Sequence, residues 1–287
     1  MSNPDLIKKI KDGITKSGFP LELKIGNILE KNNWAYSIGN IYEDFETGKY
    51  RESDIAAEKT TNGIAINLFV ECKKSTDKQI VLYAPKNNKL SPFMSIWLKL
   101  FPRIRFGKDI SYSEKKIFEE FSKLPYFDKD VPFSKNLIVT KGDTVTQDNL
   151  SYLSSINGLI KKSVHTGSDG YLETGFRCIF FYILVFDGQL FQLSNSKTED
   201  FDLKEISYGQ FEYQHHFQFE PHYYETANND LVSTASQFGT KFIIEIMTPE
   251  YFEKYIQNIE ETISKVTLNN IDGWGEGWPN IKAKTTK

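Results

Sequence analysis

Apolar residues recur at helical spacing near the start of the chain and again in its second half. Pro20 suits the first turn of a helix, where its missing N–H is not needed. Thr248 followed by Pro249 is a second start signal, with Thr248 as the expected N-cap. One apolar helical stripe consists of Leu21, Ile25, Ile28 and Leu29. The pattern predicts helices over residues 5–15, 19–34, 148–162 and 249–266.

Strands are predicted where apolar residues alternate with polar ones or run together. The stretch Cys178–Phe186 is apolar throughout, as expected of a central strand that is covered on both faces. Asn62-Gly63 and Asp187-Gly188 are strong signals for two-residue turns, so each is predicted to close a β-hairpin. The strands are predicted over residues 34–42, 52–59, 63–73, 136–140, 177–194 (both arms of the second hairpin), 211–219 and 241–247.

Helices and strands in this order predict an α/β protein with a mixed β-sheet flanked by helices. Residues 85–135 interrupt the pattern and hold five of the ten prolines, so we expect an insertion there. Residues 1–267 are therefore predicted to form a single domain with this insertion, and residues 268–287 a C-terminal tail.

Composition narrows the classes of function. The 287 residues are 39% hydrophobic and 14% aromatic, which supports a sizeable core. The net charge of −3 means that any nucleic-acid binding must rely on a local patch. Two distant cysteines, Cys72 and Cys178, make neither a disulfide framework nor a zinc site. No apolar run approaches the roughly 20 residues that span a bilayer, so we expect a cytoplasmic protein without a membrane partner.

The first predicted hairpin carries carboxylates beside its most apolar strand. With a two-residue turn at 62–63, paired residues have numbers that sum to 125, so Asp54 lies opposite Glu71. Alternation places Lys73 on the same face as Glu71. Opposed residues have Cβ atoms about 4.5–5.5 Å apart, and two carboxylates this close resist joint ionisation. Glu52, opposite Lys73, is expected to be the partner of that lysine.

A divalent cation would remove the conflict between the two carboxylates. Mg²⁺ is usually held by one or two carboxylates together with waters and substrate phosphates. Asp54 and Glu71 are therefore the predicted ligands of Mg²⁺, with Mn²⁺ as a substitute. Lys73 would orient the attacking water or offset charge in the transition state. The alternative is a solvent-facing ladder of salt bridges, worth less than about 1 kcal/mol per pair.

These residues carry a resemblance to a known family. Asp54 followed by Glu71-x-Lys73, with Glu22 on a preceding helix, resembles the PD-(D/E)xK nuclease superfamily. The order of elements over roughly residues 18–75 is similar too. The resemblance implies the restriction-endonuclease-like fold and Mg²⁺-dependent hydrolysis of DNA by a metal-activated water. It also implies that Asp54 and Glu71 bind the metal, that Lys73 assists catalysis, and that Glu22 supports a second metal or its water.

A second hypothesis stays open at this point. The chain departs from the superfamily motif at Ser53, where many members have proline. The protein could be a catalytically silent module of the same fold that binds DNA or a protein partner, for instance within a defence complex. Convergence of Lys73 with Asp54 and Glu71 would favour the nuclease, whereas a Lys73 side chain in bulk water would favour the silent module. Because no separate specificity domain is visible, a protein partner that supplies specificity is also expected.

A basic and aromatic stretch covers Pro85–Lys108 and contains no acidic residue. Cations and aromatic rings together suit phosphate contact and base stacking. An arm that packs on the core with a solvated basic edge is an equal alternative, and an interfacial membrane segment is the third. The predicted DNA contacts are Lys86, Lys89, Lys99, Arg103, Arg105 and Lys108.

Overall fold

The computed structural model describes most of the chain. The described residues are 4–61, 64–85, 88–91, 94–95, 98–101, 123–124, 126–127, 131–146, 149–168, 177–195, 201–225, 230–236 and 238–265. Several predictions concern residues outside these ranges: the turn at Asn62-Gly63, most of the insertion at 85–135, the tail at 268–287, and the basic residues Lys86, Arg103, Arg105 and Lys108.

The helices begin where the sequence signals them. Pro20 and Pro249 each lie in the first turn of a helix, where a missing N–H costs nothing. Thr248 occupies the predicted N-cap position with an extended backbone, but its side chain forms no capping hydrogen bond. The helices are α1 (Pro4–Lys16), α2 (Phe19–Lys31), α3 (Asn149–Ser168), α4 (Pro221–Glu225), α5 (Asp230–Ser236) and α6 (Pro249–Ser264).

Two strands are much longer than the others. They are β3 (Ile64–Tyr83) and β8 (Arg177–Asn195). The remaining strands are β1 (Ala35–Asp44), β2 (Lys49–Thr61), β4 (Leu100–Phe101), β5 (Phe133–Ser134), β6 (Leu137–Lys141), β7 (Thr144–Val145), β9 (Phe201–Glu205), β10 (Tyr208–Gln214) and β11 (Lys241–Met247).

The strands form one large mixed sheet in the order β1-β2-β3-β8-β11-β10-β5. The β1-β2 and β2-β3 pairs are antiparallel, whereas β8 is parallel to both β3 and β11. Helices flank the sheet on both faces, which confirms the prediction of an α/β protein with a mixed sheet.

Two hydrophobic cores lie on the two faces of the sheet. Phe181 and Ile183 of β8 pack with α2 and α6, whereas Tyr182 and Leu184 pack with α3 and α5. This alternation confirms that β8 is a central strand covered on both faces. Among the described residues, no helix is long and apolar enough to cross a membrane.

The predicted hairpin at Asp187-Gly188 is wrong. β8 continues straight through these residues and stays parallel to β3 before and after them. Gly188 is present for a different reason: a Cβ atom there would lie 2.5 Å from the Phe186 ring and 3.1 Å from the Ser75 carbonyl oxygen. A glycine at a crowded point between strands has the same local sequence signature as a glycine in a turn.

Candidate active site

The predicted register of the first hairpin is confirmed. The β2–β3 ladder runs from Thr61 paired with Ile64 to Ile55 paired with Val70, and every pair sums to 125. Backbone pairing stops there, so Asp54 and Glu71 occupy the next position on each strand. The Cys72 N–H donates a hydrogen bond to Asp54 Oδ2 at 2.7 Å. The Asp54 side chain therefore bridges to β3 where the strands begin to part.

Gly39 of β1 lies beside Asp54 of β2. β1 pairs with β2 through Ile38–Ile55 and Asn40–Ser53, and Gly39 lies between these pairs with φ +72°. Only glycine adopts this conformation readily. A Cβ atom at Gly39 would also lie 2.9 Å from Glu52 Oε1. Sequence reasoning missed this residue, although an isolated glycine inside a predicted strand is a recognised sign of an irregularity.

Glu71 is a buried carboxyl group on the face of the sheet that α3 covers. It is 5% exposed, and Ser155 and Gly158 of α3 lie beside it. Burial raises the pKa of Glu71, and the nearby charge of Asp54 raises it further, to about 7. Lys73 opposes this shift but does not cancel it.

Lys73 converges with the carboxylates instead of pointing into bulk water. Its Nζ lies 3.2 Å from Glu71 Oε2, and its side chain is 35% exposed. Burial alone would lower the pKa of Lys73, but the carboxylates of Glu71 and Asp54 outweigh burial and raise it. Among the described residues the ion pair of Lys73 is with Glu71, so the expected pairing with the exposed Glu52 is corrected.

Glu22 of α2 lines a cleft together with Asp54 and Lys73, whereas Glu71 is not among the described residues that line it. Burial raises the pKa of Glu22, and the charges of Asp54 and Glu52 raise it further, which places Glu22 within the electric field of the other carboxylates. The cleft has a volume of about 540 Å³. Its walls are formed by Ser17, Gly18, Glu22, Asp54, Cys72, Lys73, Lys74, Ser75, Thr76, Asp77 and Lys78.

The donor set fits a metal that requires few protein ligands. Across the part of the chain that the structure describes, no three or more His, Cys, Asp or Glu residues are grouped to hold a metal ion. Asp54 and Glu71 are two carboxyl groups at the end of the β2–β3 ladder, and Mg²⁺ is usually held by one or two carboxylates alongside waters and phosphates. Glu22 lies in the cleft without completing a three-carboxylate cluster.

A buried ion-pair network holds α3 against the end of β1. Lys161 Nζ lies 2.8 Å from Asp44 Oδ1 and 2.7 Å from Glu46 Oε2. The Tyr42 hydroxyl donates to the Gly158 carbonyl oxygen at 3.2 Å. His215 belongs to this network, with Nε2 2.9 Å from Glu46 Oε1. The network fixes the helix that covers Glu71.

The structure describes two of the predicted basic contacts, Lys89 and Lys99, and Lys99 does not meet expectation. Lys99 is 1% exposed, and its Nζ lies 2.9 Å from Glu245 Oε1. A buried, paired ammonium group cannot contact DNA, so the prediction for Lys99 is wrong and the packing alternative applies to it. Lys89 is exposed and lines a separate depression of about 940 Å³.

Sequence reasoning also missed one wall of the cleft. Residues 74–78 line it, yet the predicted strand ended at residue 73. The polar run that follows Lys73 was the available signal of an irregularity in β3, because such a run rarely belongs to a regular central strand.

No family model, curated protein or solved structure matches this chain. What the chain does must therefore be inferred from the geometry of the cleft and the chemistry of its residues.

Proposed function

We propose that this chain is a metal-dependent endonuclease of the restriction-endonuclease-like fold that hydrolyses phosphodiester bonds in DNA. The cofactor is Mg²⁺, with Mn²⁺ as a substitute. The order α2–β1–β2–β3 supports the proposal, because it is the order of helix and strands that the PD-(D/E)xK resemblance implies.

One observation carries the proposal: Asp54, Glu71 and Lys73 meet at the end of the β2–β3 ladder, beside an open cleft. The Asp54 carboxylate is anchored by the Cys72 N–H, and the Glu71 carboxylate by Lys73 Nζ. Each carboxylate retains lone pairs that a cation could use.

Asp54 and Glu71 would hold the cation, and Glu22 would support a second ion or a bound water. When bound, a divalent cation supplies Lewis acidity and lowers the pKa of a coordinated water. Lys73 is partly exposed to the cleft, so its ammonium group can donate a hydrogen bond to the attacking water or to a phosphoryl oxygen. The buried face of Glu71 against α3 excludes bulk water, which strengthens these electrostatic contacts.

The silent module is the second candidate. A silent module has no need for a lysine that converges on paired carboxylates. The 3.2 Å approach of Lys73 to Glu71 therefore favours the active enzyme.

The test is cleavage of plasmid and single-stranded DNA with Mg²⁺, with Mn²⁺ and with EDTA. We expect cleavage with either cation, none in EDTA, and none from Asp54→Asn, because that change removes an anionic ligand. Glu52→Gln, a matched change at a nearby exposed carboxylate, should retain activity. Undiminished cleavage in EDTA or by Asp54→Asn would refute the proposal.

A further inference from the structure

The two longest strands fall out of register beside the candidate active site. Residues 64–74 of β3 pair with 177–187 of β8, and pairing resumes with Gln79 opposite Gln189. Four residues of β3 (75–78) therefore stand against the single residue Gly188 of β8. A β-bulge of this kind turns side chains away from the ladder and is frequent next to active sites.

The bulge, residues 75–78, is directed into the cleft. Its four residues line the cleft together with Asp54 and Glu22. Lys74, which precedes the bulge, is exposed, and its Nζ lies 3.5 Å from the Thr15 carbonyl oxygen at the end of α1. The Lys74 side chain therefore reaches across the cleft from β3 towards α1.

The conformation of the bulge is held from both sides. Ser75 Oγ accepts a hydrogen bond from the Lys78 N–H at 3.0 Å and donates one to Asp77 Oδ1 at 3.2 Å. Lys141 of β6 forms an ion pair with Asp77 at 2.7 Å. Gly188 suits the close approach of β8 to the bulge, because a Cβ atom there would lie 3.1 Å from the Ser75 carbonyl oxygen. The bulge is therefore pre-organised, so it can bind a ligand with little ordering cost.

The charges of the bulge favour an anionic ligand. Asp77 is neutralised by Lys141, which holds the pKa of Asp77 below its ordinary value. Lys74 and Lys78 line the cleft next to Lys73. Lys74 and Lys78 therefore lie on the wall of a cleft beside Asp54, where they can contact the phosphates of a sugar–phosphate backbone.

We propose that the bulge is a phosphate-binding subsite: Lys74 and Lys78 contact the nucleic-acid backbone beside the scissile phosphate and position it over Asp54 and Glu71. This inference rests on the proposed function for the identity of the substrate. The two lysines position the substrate and are not catalytic residues.

The test measures binding of a short DNA duplex in EDTA, so that no metal-dependent cleavage interferes. The Lys74→Ala/Lys78→Ala variant is compared with the wild type over a range of salt concentrations. Each lost phosphate contact should lower the salt slope by roughly 0.9, or roughly 1.8 for two. When salt is raised from about 50 to 200 mM, the DNA affinity of the double alanine variant should then fall by a factor about ten times smaller than that of the wild type.

Two further variants complete the design. Lys74→Arg/Lys78→Arg keeps both charges and should restore the slope. Lys241→Ala/Lys265→Ala removes the same charge from half-exposed lysines outside the cleft and should bind like the wild type. Thermal unfolding of each variant checks that the fold is unchanged.

The inference is overturned if the double alanine variant has the salt slope of the wild type, or if arginine fails to restore a lost slope. Its failure is distinguishable from that of the proposed function. Metal-dependent cleavage with an unchanged slope would leave the nuclease and remove the subsite. A reduced slope in a protein that cuts no DNA would leave the subsite and remove the nuclease.

Discussion

Replacing Glu71 with glutamine is expected to stabilise the metal-free protein at neutral and alkaline pH. Burial, together with the charge of Asp54, raises the pKa of Glu71 from 4.5 to about 7. The unfolded chain ionises this group near pH 4.5, whereas the folded chain keeps the proton until about pH 7. The contribution of Glu71 to the stability of the wild type is therefore fully present below pH 4.5, is lost as the pH rises towards 7, and then stays constant.

The size of this pH-dependent loss of stability follows from the difference between the folded pKa of about 7 and the ordinary pKa of 4.5, which is about 2.5. At about 1.36 kcal/mol per pKa unit, the wild type loses roughly 3 kcal/mol across this range, a loss that glutamine avoids. The pKa of about 7 already includes the opposing effect of Lys73, so the loss of this ion pair in the variant adds no separate amount.

The assay is urea unfolding in EDTA at about pH 5 and about pH 8, with Glu52→Gln as a matched control at an exposed carboxylate. The advantage of Glu71→Gln should grow between the two pH values by about 2–3 kcal/mol, and Glu52→Gln should show no such growth. A constant difference, or a Glu71→Gln protein that is less stable at the higher pH, would refute the reasoning.

Two other substitutions separate chemistry from packing. Lys73→Ala is expected to lower turnover by about 10²-fold or more with little change in DNA affinity, because a charge beside the attacking water matters most in the transition state. Equal losses in single-turnover cleavage and in DNA binding would make Lys73 a simple phosphate contact. Lys99→Met is expected to lower the free energy of unfolding by about 3 kcal/mol, because Glu245 would lose its buried partner. DNA affinity should stay unchanged, and Lys89→Ala, at an exposed lysine of the same stretch, should stay within about 0.5 kcal/mol of the wild type. A stable Lys99→Met protein with weakened DNA binding would instead restore Lys99 as a DNA contact.

The register of the candidate site could be predicted because it depends on local chemistry. A short loop between two strands fixes which residues face each other, so the pairing of Ile55 with Val70 followed from counting. The alternation of side chains then placed Lys73 beside Glu71. Both steps require only residues that are close in sequence.

The features that the sequence did not reveal depend on distant partners. Lys99 is buried because Glu245, far along the chain, neutralises it, and nothing near Lys99 indicates that partner. The bulge at residues 75–78 exists only because β8 runs beside β3 past Gly188. An Asp-Gly pair that would close a hairpin in isolation is held within β8 by pairing with β3 before and after Gly188, so tertiary structure overrides the local turn signal.

Asp44 and Glu71 are buried carboxyl groups beside α3 whose pKa values are shifted in opposite directions. This contrast bears on the role of Glu71. Asp44 is 0% exposed, and burial would raise its pKa, but hydrogen bonds and charge from Lys161, with help from Arg51, lower it instead. A carboxylate that serves only the fold is expected to be compensated in this way, because an uncompensated buried charge is costly.

Glu71 is nearly as buried, yet its environment contains a second carboxylate, Asp54, and one partly exposed lysine. The pKa of Glu71 is raised because the charge of Lys73 does not compensate for burial and for the nearby charge of Asp54. The folded protein therefore lacks positive charge at this position. If Glu71 served only the fold, an arrangement such as that of Asp44 would stabilise the protein more. Proteins retain such unfavourable electrostatics mainly at sites of function. A divalent cation between Asp54 and Glu71 would supply the missing charge, and so the cost in stability and the proposed metal site have the same physical origin.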